Sequence, residues 1–185
     1  GTRQTPVQWG TGAAISARAI GCMRDNTVVV GSDNKVYVTG RNDAAQCAVV
    51  SPAVGWADDR LTPTLVAGFS TAISVAASGD SAHVLLSNGS LWAWGAENAL
   101  GNGNYLPTTP VQIMSGVAAV FGGSSANTKG TKQTDKSIYV WGNGTDGQLG
   151  NGQNFDELLP VYHPFFTPAT DILTMSFGGG HTAAI

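Results

Sequence analysis

Cysteine is scarce in this sequence, with Cys22 and Cys47 as the two examples among 185 residues. Two cysteines are too few for a disulfide-stapled scaffold, and they lack the paired spacing of a zinc site. We expect both to be small buried hydrophobic residues, with a single stabilising disulfide between them as the alternative.

Charged residues are scarce too. They make up 11% of the chain, against about 25% in an average soluble domain. The net charge is −3, so the overall field attracts neither nucleic acid nor an anionic membrane. No apolar run approaches the ~18 residues of a membrane span, and no signal-peptide pattern opens the chain. We therefore expect no nucleic-acid partner and no membrane insertion.

Glycine, by contrast, is abundant, with 25 residues, nearly twice its usual share of about 7%. Gly142, Gly144 and Gly147 even form a literal G-x-G-x-x-G directly after an apolar run. The residues that follow, QLGNGQNF, contain two more glycines and cannot begin a helix, so the context of a dinucleotide-binding loop is missing. We interpret these glycines as tight turns and expect no cofactor.

The sequence repeats itself about every 50 residues. An apolar strand that ends in glycine recurs as VYVTG, LWAWG and IYVWG, ending at Gly40, Gly95 and Gly142. A Thr-Pro or Leu-Pro dipeptide keeps the same spacing, with its prolines at Pro6, Pro63, Pro110 and Pro160. A third landmark is an apolar run into small residues, as in AISVAASG and ILTMSFGGG.

Each period reads as four short strands. In the second repeat these are a small-residue strand at 72–78, an aliphatic strand at 83–86, an aromatic strand at 91–94 and an outer strand opened by Thr-Pro. The SNGS turn suits a tight hairpin, and proline belongs at a strand start or sheet edge. Four-stranded units of about 50 residues are typical of a β-propeller.

The segments IYVWGNGTDGQLGNG, LWAWGAENALGNG, TPVQI and FGGGHTAAI resemble the repeat of the regulator of chromosome condensation (RCC1) family. The resemblance covers residues 1–185 as one segment, with repeats at about 10–66, 67–113 and 114–163 and a partial repeat at 164–185. It implies an all-β fold, a partial propeller of about three and a half four-stranded blades. The first repeat departs at Thr39, which replaces tryptophan, and at Cys47, which takes the position of Leu149. In the third repeat the second strand is polar, which predicts irregular packing there.

The repeat positions are expected to be structural. Trp94 and Trp141 should pack the blades, and the three strand-ending glycines should turn the chain. His83 and His181 are assigned to equivalent positions, where the family resemblance implies a structural histidine. Two imidazoles can coordinate zinc, but equivalent positions in different blades lie a blade's width apart and no acidic or cysteine cluster accompanies them. We expect no metal site.

Catalysis would need a nucleophile beside a base, or paired acids in one site. The close acidic pairs lie in long loops, where solvated carboxylates are expected: Asp58–Asp59 and Asp156–Glu157. The basic cluster Lys129, Lys132 and Lys136 is interpreted as a solvated face. We expect no enzymatic activity. Glycosylation of the sequons at Asn88 and Asn143 stays open, because the repeat's own turns supply this pattern.

Loop insertions are the most informative irregularities. The loop before Pro63 carries the extra segment VGWADDR, with Trp56 and Arg60, and the last repeat adds Phe165 and Phe166. Aromatic residues and arginine anchor protein interfaces, so these four are our candidate contact residues. The alternative is that they fold back and cover their own blades.

We therefore predict a non-enzymatic protein-interaction or structural scaffold. The alternatives are a secreted inhibitor that blocks an enzyme's active site with one propeller face, and nucleotide exchange on a small GTPase, against which the acidic charge and few lysines argue. The acidic surface, rich in Asn, Thr and Gly, favours an extracellular or cell-surface location.

A closed seven-bladed ring, the usual form in this family, would need about 350 residues at roughly 50 per blade. We thus expect these 185 residues to be part of a longer chain, or copies of the chain to close or extend one another. The partner is accordingly another protein, further copies, or the remainder of the same chain.

Overall fold

The structure is a computed structural model that describes residues 15–48, 58–95, 100–105, 108–123 and 127–185. The predicted outer strand at 6–9 and the candidate contact residue Trp56 lie outside these ranges. Within them the chain is almost entirely β, with fourteen strands and one short 3-10 helix at Pro168–Thr170. None of the helical residues described forms a segment long and apolar enough to cross a membrane.

Twelve of the strands form three four-stranded antiparallel blades, each in simple sequence order. The first blade consists of β1 (Ala17–Cys22), β2 (Asn26–Gly31), β3 (Val36–Gly40) and β4 (Arg60–Val66). The second consists of β5 (Ala72–Ser78), β6 (Ser81–Leu86), β7 (Leu91–Gly95) and β8 (Thr108–Met114). The third consists of β9 (Val117–Gly122), β10 (Thr128–Gln133), β11 (Ile138–Gly142) and β12 (Glu157–Tyr162). Two strands of a fourth blade follow, β13 (Met175–Phe177) and β14 (Thr182–Ala184). The predicted partial propeller is confirmed.

The turn between the second and third strands of every blade has one left-handed residue. Asn34, Gly89 and Lys136 have φ values of 59°, 80° and 72°. Each donates its backbone N–H to the carbonyl three residues earlier, at 3.0 Å. Asn and Gly tolerate this conformation well. The hairpin predicted from the SNGS turn is therefore formed, and the other two blades have the same turn.

The glycine that ends each third strand is required for two reasons, its backbone conformation and the lack of space for a side chain. Gly40, Gly95 and Gly142 have φ values of 115°, 99° and 102°, which side chains rarely adopt. A Cβ on any of them would also lie 2.0–2.2 Å from a backbone carbonyl oxygen in the hairpin between the first two strands of its blade. This close approach leaves no room for a side chain, and it explains why glycine recurs here.

The outer strands are protected edges. Proline lies inside each of them, at Pro63, Pro110 and Pro160. Proline has no N–H to offer a further strand, so these edges are poor templates for added β-pairing.

The core lies between the blades. Val28, Val38 and Cys47 of the first blade pack against Val84 and Trp94 of the second. Leu85 and Leu91 of the second pack against Val120 and Trp141 of the third. Trp94 and Trp141 are both fully buried. Each junction thus buries the aromatic strand of one blade against its predecessor, which is how propeller blades gain their hydrophobic stabilisation.

The third blade is regular, so the irregular packing predicted from its polar second strand is wrong. β10 pairs residue by residue with β11 from Thr128 to Lys132. Lys129 is fully buried, and its Nζ donates to Ser78 Oγ and, at 3.3 Å, to Ser81 Oγ of the second blade. The predicted solvated lysine face is therefore wrong for Lys129. The interior accepts its ammonium because hydroxyl oxygens on the neighbouring blade receive its hydrogen bonds.

Candidate protein-interaction face

The strand order places the long loop between the last two strands of each blade on one side of the propeller. In each blade the hairpin between the first two strands and the loop between the last two lie at the same strand ends. Among the described residues, we call this the long-loop face, made of 23–25, 41–48, 58–60, 79–80, 100–105, 123, 127, 143–157 and 178–181. The opposite, short-turn face consists of 32–35, 67–71, 87–90, 115–116, 134–137 and 163–174.

The same hydrogen bond stabilises the long loop of the first blade and that of the third. Gln46 Oε1 accepts from the Ala44 N–H at 2.8 Å, and Gln148 Oε1 accepts from the Asp146 N–H at 2.9 Å. Next to each glutamine, a buried residue, Cys47 or Leu149, anchors the loop in the core. Burial raises the pKa of the Cys47 thiol to about 11, so it behaves as a hydrophobic residue.

Contacts between blades hold the same face together. The Trp94 indole N–H donates to the Gln46 carbonyl at 3.0 Å, and the Arg24 N–H donates to the Gly79 carbonyl at 2.9 Å. The Arg24 guanidinium also lies 3.5 Å from the Asp80 carboxylate. The first two blades therefore present their loops as one surface.

The long-loop face is strongly acidic. Among the described residues its carboxylates are Asp25, Asp43, Asp58, Asp59, Asp80, Asp146, Asp156 and Glu157. Against these eight stand three arginines, Arg24, Arg41 and Arg60, which leaves a formal charge of −5. Within these ranges the short-turn face has three carboxylates, Asp33, Asp135 and Asp171, and two lysines, Lys35 and Lys136, a formal charge of −1. Arg18 and Lys132 lie on strands, but their side chains donate to Asn34 and Asp171 of this face, and with them its formal charge is +1.

All three arginines of the long-loop face are engaged on that face. Arg41 bridges Asp25, at 3.3 Å, and Asp43, and Arg24 pairs with Asp80. Arg60 donates to the Asp58 carbonyl at 2.8 Å. Hydrogen bonds from Gln46 and Arg41 hold the pKa of Asp43 below its usual value, so it stays ionised.

The short-turn face has its own ion cluster. Lys132 and Lys136 donate to Asp171 at 2.8 and 2.9 Å, and they lower the pKa of that carboxyl to about 2. Lys132 also donates to the Ile172 carbonyl at 2.9 Å. These two lysines tie the 163–174 connection to the third blade.

The three candidate contact residues within the described ranges are not brought together. Arg60 is half-buried at the start of β4 in the first blade. Phe165 is 66% exposed in the connection after the third blade. Phe166 stacks on the His163 ring at 4.3 Å and packs against the core between the third and fourth blades. Phe166 therefore covers its own blade, whereas Phe165 projects; their roles at an interface stay predictions.

The two histidines differ in register as well as in exposure. His83 is fully buried, its Nε2 lies 3.0 Å from the Leu100 carbonyl oxygen, and burial lowers its pKa well below the usual value. His181 is exposed. Phe177 faces Thr182 across a turn of the same length as that between Ala77 and Ala82, so His181 corresponds to Ser81. Their predicted equivalence is wrong, because the two histidines differ by two residues in register.

Both cysteines are free, with Cys22 exposed on β1 and Cys47 buried. The expectation of two buried cysteines thus holds for Cys47 and is wrong for Cys22. The sequon residue Asn88 is exposed on the short-turn face, and Asn143 is half-buried on the long-loop face.

Sequence reasoning missed the acidic face. It identified the acidic pairs and the long loops separately. Assigning every Asp and Glu to a hairpin, loop or short turn of the repeat would have revealed the charge difference.

Comparison with known proteins agrees with this geometry. Residues 135–185 match the family described as the regulator of chromosome condensation (RCC1) repeat. The human E3 ubiquitin-protein ligase HERC2 is 28% identical over 142 residues, which cover 71% of this chain and 3% of HERC2. The mouse protein matches equally. The chain therefore spans about 3% of the length of these curated relatives.

Solved structures share the fold. Human WBSCR16 aligns with a TM-score of 0.78 at 20% identity, over 95% of this chain and 46% of that chain. Prp20p of Saccharomyces cerevisiae, studied for its binding to Gsp1p and histones, aligns with a TM-score of 0.73 at 21% identity, over 91% of this chain and 43% of Prp20p. Blade geometry, repeat match and structural likeness together show that this chain has the fold of an RCC1-like partial β-propeller.

Proposed function

We propose that this chain is a non-enzymatic protein-interaction module whose long-loop face binds a partner protein with a basic surface. The observation that carries the proposal is the formal charge of −5 on that face against +1 on the other. An acidic surface speeds encounter with a basic one and orients it before contact.

The rigidity of the face supports binding. Its loops are held by buried anchors, by backbone N–H groups that donate to the Gln46 and Gln148 side chains, and by the Trp94 indole N–H, which donates to the Gln46 carbonyl. A surface that is already ordered loses little conformational freedom when a partner docks. The propeller frame thus presents charged groups at fixed spacing.

Three groups of types that often serve in catalysis, His83, His163 and Cys47, have perturbed pKa values for structural reasons, which supports a non-enzymatic role. Burial lowers the pKa of His83 and His163 and raises that of Cys47. All three are buried within the blades and their connections, packed against the protein itself. Reactive groups with shifted pKa values usually line a cleft, and packing accounts for the shifts here.

The relatives support a protein as the ligand. Yeast Prp20p is described by its binding to Gsp1p and histones, and another crystal structure holds Kap60 bound to it. Those partners belong to Prp20p. What we transfer to this chain is the class of partner, a protein.

Paired charge-neutralising variants test the proposal. Asp146→Asn with Glu157→Gln removes two charges from the long-loop face, and Asp33→Asn with Asp135→Asn removes two from the short-turn face. With a fluorescent oligolysine peptide as probe, we expect the first pair to weaken binding by up to about fivefold per carboxylate and the second to leave it unchanged. Equal weakening by both pairs, or by neither, would overturn the assignment of the face.

We also propose an extracellular or cell-surface location. It is supported by the low content of charged residues, 11% of the chain. Antibody labelling of intact source cells should reveal the protein without permeabilisation, and labelling that needs permeabilised cells would contradict this location.

A further inference from the structure

Four Asn-Gly dipeptides lie in turns of the same kind. The Asn Oδ1 of each accepts a hydrogen bond from the backbone N–H two residues later, at 2.9–3.1 Å. The dipeptides are Asn88–Gly89, Asn102–Gly103, Asn143–Gly144 and Asn151–Gly152. This bond folds the asparagine side chain over the peptide that follows it.

Such a turn brings together the atoms that react in deamidation. The backbone nitrogen of the glycine attacks the asparagine Cγ, a C–N bond forms, and ammonia leaves, which gives a five-membered succinimide. Water then opens the ring to aspartate or isoaspartate. The hydrogen bond to Oδ1 stabilises the negative charge that develops on this oxygen during attack. Glycine adds no side chain to obstruct the approach.

The four sites differ in the nucleophile. The N–H of Gly89 donates to the Leu86 carbonyl and that of Gly103 to the Leu158 carbonyl, both at 3.0 Å. The N–H of Gly144 donates to Asp156 Oδ1 at 3.1 Å. The Gly152 N–H makes no hydrogen bond within the described ranges, and Gly152 is exposed to solvent.

From this difference we infer that Asn151 is a deamidation site of the folded protein, and that the other three asparagines are protected. A glycine nitrogen already engaged as a donor must break its bond before it can lose its proton and turn toward Cγ. That bond is worth enough to slow the reaction about two- to tenfold.

Conversion of Asn151 would change its surroundings. Its Nδ2 now donates to Glu157 Oε1 at 3.4 Å. An aspartate there replaces this bond with repulsion between two carboxylates at the start of β12. The long-loop face also gains one negative charge. The modification does not depend on the proposed function, since it follows from the turn alone.

Peptide mapping by mass spectrometry tests the assignment. The folded protein is incubated at mildly alkaline pH in heavy-oxygen water, so that each conversion incorporates one solvent oxygen. We expect Asn151 to convert first and the other three about two- to tenfold more slowly. In denaturant the four rates should converge. Equal rates in the folded protein, or the same ranking in denaturant, would overturn the inference.

A variant tests the protecting bond itself. Asp156→Ala removes the acceptor of the Gly144 N–H and should speed deamidation of Asn143 about two- to tenfold. Asp156→Asn keeps an acceptor oxygen and should leave Asn143 slow. Circular dichroism melts verify that both variants are folded at the incubation temperature. No difference between the two variants would refute protection by this bond.

Discussion

β6 of the second blade and β10 of the third occupy the same place in their blades with opposite compositions. β6, SAHVLL, is almost wholly buried and mostly apolar. β10, TKGTKQ, has one lysine, two threonines and a glycine at buried positions. Both strands nevertheless pair in continuous register with their third strands, β7 and β11.

The difference shows which part of the repeat specifies a blade. The blades share the left-handed turn residue, the strand-ending glycine and an aromatic third strand. The second strand can change from apolar to polar provided that its buried polar atoms find partners, because an unpartnered buried group costs about 1–3 kcal/mol. Lys129 meets this condition through hydroxyls of the neighbouring blade.

Truncating the buried tryptophan of the aromatic third strand should have the largest effect on stability, and the effect should be similar in both blades. Trp94→Ala and Trp141→Ala each delete a fully buried indole. We expect each to lower the free energy of unfolding by about 3–5 kcal/mol, measured by chemical denaturation. Phe165→Ala, at an exposed aromatic, is the control and should stay within about 0.5 kcal/mol. An unchanged melting temperature for either tryptophan variant would contradict its role in blade packing.

The polar strand β10 should be destabilised by a substitution in the neighbouring second blade. Ser78→Ala deprives the Lys129 ammonium of an acceptor and should cost about 1–3 kcal/mol. Lys129→Met keeps most of the buried stem without the charge and should cost under about 1.5 kcal/mol.

The double variant isolates the pair. In the Lys129→Met background, Ser78→Ala should cost much less than it does alone, because its hydrogen-bonding partner is gone. The same cost in both backgrounds would show that Ser78 stabilises the junction by some other contact.

The smallest effect near neutral pH is expected for β6, where His83 should make the free energy of unfolding depend on pH. Burial lowers the pKa of His83 in the folded state, and the corresponding residue of β10 is Gly130, which does not titrate. The unfolded chain then binds the proton more tightly than the folded protein does. The contribution of neutral, buried His83 to stability is therefore full above pH 6.5, and it is lost as the pH falls toward the pKa of His83 in the folded state. The slope is at most about 1.4 kcal/mol per pH unit.

His83→Gln removes that titrating group, so thermal melts at a series of pH values should show a shallower acid dependence than the parent. His163→Gln serves as comparison, because burial also lowers the pKa of His163. Parallel pH curves for the parent and His83→Gln would contradict the assignment.

Much of the fold was predictable, because its determinants are local and repeated. Gly40, Gly95 and Gly142 each end an apolar strand of similar sequence, and the SNGS turn predicts the hairpin of the second blade. Cys47 in the place of Leu149 was recognisable from the loop alignment, and both are buried. The site was less predictable: Trp56 lies outside the described residues, and the interface roles of Arg60 and Phe165 stay predictions.

The sequence by itself determined the four-stranded unit, its turns and its number of repeats, since these depend on backbone conformation and strand alternation within a few residues. Tertiary structure alone decided which polar residues are buried and which face carries the charge. The buried Lys129 ammonium donates to two serines that lie about 50 residues earlier in the chain. The acidic face arises because blades related by rotation bring loops from distant parts of the sequence to the same side.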